Sequence, residues 1–193
     1  VYNDTILAGL DYLLMEMGKR KMVAVLYLNN SWEWSGGYGY YLEQAGLGKA
    51  PRPDEDGYSA FMNFVAQYAS CDKAHQFFYD YVRFILTRTN RYTKKKYKDD
   101  PAIMSWQIGN EPRAFSKEQL PAFEKWLGET SKLIRSLDKN HLISIGSEGK
   151  WGCENELDCW ERICADRNVD YCNIHLWPYN WSWARKDHLQ EDL

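Results

Sequence analysis

Short apolar runs alternate along this chain with stretches whose apolar residues recur at helical spacing, and this alternation constrains the fold more than any other feature. Residues 22–28, 102–108, 142–145 and 169–176 are runs of strand length, each followed by polar or aromatic residues. Residues 4–17 carry Ile6, Leu10, Leu13, Leu14 and Met17 at helical intervals, with Gly18 placed to end the helix. Residues 72–90 set Phe77, Phe78, Tyr81, Val82, Ile85 and Leu86 on one helical face. A third helix carries Leu120, Phe123, Leu127, Thr130 and Leu137, with Pro121 in its first turn, where a missing N–H is harmless. A fourth helix spans 155–165. Strands alternating with helices predict a parallel α/β sheet, here of four strands.

One connection is long. Residues 31–71 hold Trp32, Trp34, Tyr38, Tyr40, Tyr41 and Tyr58 among many glycines and prolines. Unstructured loops beyond about 15 residues are uncommon in compact domains, and so many aromatics argue against disorder. Short helices are therefore expected within this aromatic-rich loop, for instance over 58–68.

The segment Asp99-Asp100-Pro101-Ala102-Ile103-Met104-Ser105-Trp106-Gln107-Ile108-Gly109-Asn110-Glu111-Pro112-Arg113 reads as a turn, a buried strand, and polar groups at the strand's C-terminal end. Parallel α/β sheets place their chemistry at that end. Pro112 biases Glu111 away from the right-handed helix. A carboxylic acid fixed beside an amide suits sugar chemistry: the acid protonates a glycosidic oxygen, and the amide bonds a neighbouring hydroxyl. A salt bridge between Glu111 and Arg113 is the plainer alternative.

Asn110-Glu111-Pro112 at a strand end resembles the acid/base motif of retaining glycosidases built on (β/α)8 TIM barrels. A longer set is narrower: Leu86-Thr87-Arg88-Thr89-Asn90-Arg91-Tyr92-Thr93, Tyr97-Lys98-Asp99-Asp100-Pro101, Trp106, and Asn110-Glu111-Pro112-Arg113. That set resembles endo-β-1,4-mannanases of glycoside hydrolase family 5. The resemblance implies a (β/α)8 barrel, of which residues 1–193 cover roughly the central half, from about the second helix to the sixth strand. A whole barrel takes about 250 residues, and half of one would leave open edges that invite aggregation. The chain is accordingly expected to be part of a single catalytic domain.

The same resemblance implies roles. Glu111 is the general acid/base, and Asn110 binds the sugar 2-hydroxyl. The nucleophile, a Glu at the end of the seventh strand, has no matching segment here. Glu148 in Gly146-Ser147-Glu148-Gly149 falls at the fifth strand, where a substrate-side role with Arg113 is implied. His175 in His175-Leu176-Trp177-Pro178-Tyr179 matches a cleft-facing His, but Trp177 stands where the family often has a Tyr that contacts the nucleophile. Trp177 offers an N–H in its place, and Tyr179 offers a hydroxyl from another angle. Asn29, Asn30, Trp32 and Trp34 match a segment that lines the sugar subsites. Trp32 is expected to be the stacking platform, with Trp34 either a second wall or core of the loop. Asn29-Asn30-Ser31 and Asn180-Trp181-Ser182 also form glycosylation sequons, read as coincidental because a glycan there would block the cleft.

The function expected is hydrolysis of mannan-type polysaccharides. Rivals are another β-glycanase, an exo-mannosidase, or a glycan-binding protein without the nucleophile. Nine Trp and fourteen Tyr fit a carbohydrate cleft, although cores also bury aromatics. A net charge of −3 leaves no nucleic-acid footprint, and Lys94-Lys95-Lys96 reads as solvated surface. No run reaches membrane-spanning length. Four His show no metal-ligand spacing, and no phosphate loop or dinucleotide fingerprint occurs, so no cofactor is expected. Of five Cys, Cys153 and Cys159 are expected to pair and Cys172 to be a buried thiol. Disulfides would suit a secreted or periplasmic enzyme, its leader outside this chain.

Overall fold

The computed structural model describes residues 2–180 and 182. Helix α1 (Asp4–Lys19) leads into strand β1 (Ala24–Tyr27). Helices α2 (Gly37–Ala45), α3 (Pro53–Asp56), α4 (Tyr58–Val65) and α5 (Asp72–Thr87) precede β2 (Ile103–Gln107). Helix α6 (Leu120–Leu137) leads to β3 (Leu142–Ser144), and α7 (Leu157–Cys164) follows. The strands form one parallel sheet in the order β1-β2-β3.

Register aligns Leu26, Trp106 and Ile143 across the sheet. Trp106 and Ile143 are fully buried, and the helices cover this face. Trp126 of α6 packs there among Tyr38, Tyr68 and Phe78. The opposite face aligns Val25 with Ser105, Tyr27 with Gln107, and Ser105 with Leu142. Val25, Tyr27 and Leu142 are 42%, 49% and 42% exposed there, so the run 22–28 is not covered on both faces by the described residues.

Three expectations need correction. Helix α1 continues through Gly18 to Lys19, and Arg20 caps it by donating its N–H to Gly18 O and Met17 O. The buried face of α1 is Leu7, Asp11 and Leu14, whereas Ile6 and Leu13 of the expected face are exposed; the connection 31–71 does hold the expected short helices, α2 to α4 and a 3-10 segment Ala66–Ser70. Residues 169–176 run beside β3 without making a strand. Ile143 N–H donates to the Asp170 carboxylate at 2.8 Å, and Gly146 N–H donates to Asn173 Oδ1 at 2.9 Å. Side chains thus take acceptor places that a fourth strand would fill with carbonyls.

The cysteine pairing also differs. Cys164 is disulfide-bonded to Cys172, while Cys153 and Cys159 are free, buried thiols in mutual contact. After α7 the chain turns back at Asp166, whose carboxylate accepts from Ser131 Oγ and Asn168 N–H. That reversal brings Cys172 to the end of α7, with Cα atoms 5.7 Å apart.

Two polar clusters fix the base of the sheet. Asp11 of α1, fully buried, accepts from Arg88 Nε at 3.0 Å and Nη2 at 2.6 Å, and from Tyr97 Oη at 2.7 Å. Asn90 Nδ2 donates to Asp11 O at 2.8 Å. Much of the segment 86–97 is therefore scaffold. The second cluster joins Trp106 Nε1 and His141 Nδ1 to Asp138 Oδ2, each at 2.7 Å. Burial pushes the Asp138 carboxyl up. Hydrogen bonds from His141, Trp106 and the N–H groups of Asn140 and His141 outweigh it and hold the pKa at about 2.

Candidate active site

Past β2 the backbone keeps pairing with both neighbours. Ile108 and Gly109 N–H donate to Ser144 O and Ile145 O, Asn110 N–H to Asn29 O, and Glu111 N–H to Gly146 O. Asn110 and Glu111 are thus pinned between the ends of β1 and β3. Glu111 has φ 51° and lies in the left-handed region. For a residue with a Cβ that costs about 1–3 kcal/mol and persists only where surroundings over-determine it. Ser31 Oγ donates to Glu111 O, completing the clamp with Gly146.

The Glu111 carboxylate is largely buried and meets three ring nitrogens. Trp32 Nε1 donates to Oε2 at 2.8 Å, Trp177 Nε1 donates to Oε1 at 3.2 Å, and His175 Nδ1 is 3.0 Å from Oε1. The facing carboxylate assigns the Nδ1 hydrogen to His175. His175 is held in turn by its own N–H to Ser147 O at 2.9 Å.

Arg113 does not pair with Glu111. Its Nη2 donates to Glu148 Oε1 at 2.7 Å and its Nε to Glu148 Oε2, a bidentate pair with Glu148 buried. The guanidinium lies 5.0 Å from the centroid of the Trp32 ring, within cation–π range.

These groups line a cleft of about 880 Å3 that also takes in Asn110 and Trp34. Tyr58 and Met62 of α4, together with Asn180, complete it and escaped the sequence reading. Tyr58 stood in the aromatic-rich connection, whose density was the available signal. Ser31 and Gly146 escaped too, because each acts on a backbone group.

The two indoles divide the work differently from expectation. Trp32 is half-buried, donates to Glu111 and packs against Phe61 and Phe115. Trp34 is 48% exposed and forms an open cleft wall, 6.1 Å from Trp32 between ring centroids. Asn29 and Asn30 do not face the cleft. Asn29 is buried, with Nδ2 donating to Tyr68 Oη at 2.9 Å. Asn30 is buried as well: its Oδ1 accepts from Trp32 N–H at 3.1 Å and from Asn110 Nδ2 at 3.4 Å, so it shapes the loop that carries Trp32. Tyr179 is exposed and does not line the cleft, so the 177 indole rather than the 179 hydroxyl reaches Glu111. Among the described residues no His, Cys, Asp or Glu cluster is arranged for a metal, and no helix is long and apolar enough to cross a membrane.

The pattern of the family described as GH family 5 beta-mannosidase-like matches residues 1–193. Mannan endo-1,4-beta-mannosidase 4 of Solanum lycopersicum is 32% identical over 191 residues, 94% of this chain and 45% of that protein. Among solved structures, a glycoside hydrolase family 5 mannosidase from Rhizomucor miehei superposes with a TM-score of 0.83 at 34% identity, covering 96% of this chain and 44% of that one. An endo-1,4-beta-mannanase from Rhizomucor miehei superposes at 0.76 with 26% identity, covering 93% and 51%. The fold is thus that of part of a (β/α)8 barrel. The chain spans about half the length of the relatives it matches.

Proposed function

The chain belongs to glycoside hydrolase family 5, in its β-mannosidase-like group, and from that membership we propose that the whole protein is a retaining endo-β-1,4-mannanase. Glu111 is its general acid/base. The carboxyl protonates the glycosidic oxygen as the bond to the anomeric carbon breaks, and the resulting carboxylate then takes a proton from the water that releases the sugar. A second carboxylate, outside the described residues, attacks the anomeric carbon. Glu148 is unsuited to that task because both its oxygens are committed to Arg113. Asn110 binds the 2-hydroxyl beside the reacting centre, and Trp34 and Tyr58 flank the polysaccharide. The Cys164–Cys172 disulfide favours an extracellular or periplasmic setting.

One observation carries this reading: a carboxylate at the C-terminal end of β2, set in an aromatic cleft and gripped by three ring N–H groups. The test is reducing-sugar release by the whole protein from mannan, galactomannan, glucomannan and cellulose. Mannans should be cut to a ladder of oligosaccharides. Activity on cellulose alone, or binding without cleavage, would overturn the proposal. One of the similar Rhizomucor miehei structures is named a mannosidase and another an endo-mannanase, which motivates a second reading, exo-action, that predicts mannose as the sole early product.

A further inference from the structure

The three contacts on Glu111 are unevenly shared between its oxygens. His175 Nδ1 and Trp177 Nε1 both address Oε1, at 3.0 and 3.2 Å, while Trp32 Nε1 alone addresses Oε2, at 2.8 Å. A carboxyl oxygen offers two acceptor sites. Two N–H donors therefore fill Oε1 and leave no position there for a hydrogen. Oε2 keeps one site open.

We propose that the catalytic proton of Glu111 resides on Oε2, and that Trp177 is the positioning residue that keeps it there by occupying the second acceptor site of Oε1. The proposal rests on the hydrolase reading and adds to it which atom delivers the proton. In the first step the Oε2–H bond breaks, the hydrogen passes to the leaving sugar oxygen, and the electron pair stays on Oε2. The two N–H groups on Oε1 and the one on Oε2 then solvate the carboxylate. In the second step a proton from water returns to Oε2. With Trp177 removed, Oε1 regains a free site, and a proton parked on Oε1 faces His175 instead of the substrate.

The test compares two leaving groups in the whole protein. A mannooligosaccharide leaves as an alcohol and needs the proton. A dinitrophenyl β-mannobioside leaves as a stable phenolate and does not. Their kcat/KM values report the bond-breaking step for each. Two variants remove the N–H: Trp177→Phe, and replacement of Trp177 by benzothienylalanine, which keeps the bicyclic ring and exchanges N–H for sulfur. Lost packing, or lost contact with the sugars common to both substrates, lowers both alike, whereas a misplaced proton lowers only the oligosaccharide. The expected result is an additional loss of roughly 2–10-fold on the oligosaccharide relative to the aryl substrate in both variants, the worth of one hydrogen bond. Equal losses on the two substrates, or none on either, with active wild-type protein, would overturn the assignment while leaving the hydrolase reading intact. Wild-type protein inactive on both substrates would overturn the hydrolase reading, and this assignment with it.

Discussion

Gly146→Ala tests how the site is held. Gly146 sits past β3 with φ +88°, and its carbonyl accepts the Glu111 N–H at 2.9 Å. A Cβ built there would lie 1.8 Å from Gly109 O, 2.7 Å from Gln107 Nε2 and 2.8 Å from Gln107 Cγ. Gln107 can swing aside. Gly109 O is backbone, one residue before Asn110, and must part from the new methyl by more than an ångström. The left-handed conformation costs Ala roughly 1–2 kcal/mol, and forcing a group into a filled space costs roughly 1–3 kcal/mol. The expected destabilisation is therefore about 2–5 kcal/mol by denaturant unfolding. The displaced backbone carries Asn110 and Glu111, and a misplacement of about 1 Å costs on the order of 10²-fold in rate. Activity per folded molecule of the whole protein should fall accordingly, with the loss in kcat rather than KM. Wild-type stability together with wild-type kcat in Gly146→Ala would refute the claim that this backbone contact sets the acid.

Trp32 and Trp34 should separate. Trp32→Ala is expected to cost about 3–5 kcal/mol of stability because its ring packs against Phe61 and Phe115. Trp34→Ala should leave stability within about 0.5 kcal/mol and weaken mannooligosaccharide affinity in titration calorimetry; the opposite pattern would return the platform role to Trp32. The Asp138–His141 pair should confer a pH window on stability. The folded pKa of Asp138, about 2, lies below the ordinary 3.8, so its contribution is present above pH 3.8 and lost as pH falls toward 2. Despite burial, which lowers it, the His141 pKa is raised above 6.5 by the Asp138 carboxylate, so that contribution is present below 6.5 and lost as pH rises through the folded value. The Asp138 shift, to which Trp106 and the N–H groups of Asn140 and His141 contribute beside the His141 ring, is worth about 2 kcal/mol for the whole cluster. Wild type minus Asp138→Asn, compared by denaturant unfolding across pH, should peak inside this window, and a flat difference would count against it.

Where physical periodicity governs, the elements were legible. The faces of α5 and α6 follow helical spacing, and β1, β2 and β3 are short apolar runs bounded by polar residues, whereas α1 turns Leu7, Asp11 and Leu14 inward and leaves Ile6 and Leu13 exposed, because its buried side is organised around the Asp11 carboxylate. The stretch 169–176 failed because Asp170 and Asn173 answer the neighbouring N–H groups with side chains, which no hydrophobic pattern records. Glu111 could be found because a buried strand precedes it and Pro112 follows. Its grip could not. Trp32 and Trp34 lie two residues apart in an aperiodic loop, and only the fold decides which one turns toward the carboxylate. The pairing of Cys164 with Cys172 depends on a chain reversal organised by Asp166, so spacing along the sequence pointed to the wrong partners.

The central claim is that Glu111 is the acid of a glycoside-cleaving site, and Glu111→Gln in the whole protein addresses it most directly. The substitution keeps the size and acceptor oxygen of the side chain while removing the exchangeable acid proton. Hydrolysis of mannan should fall by about 10²–10⁴-fold, the ordinary worth of general acid–base catalysis, while mannooligosaccharide affinity measured by calorimetry stays close to wild type. Mannan hydrolysis within a few-fold of wild type would contradict the account.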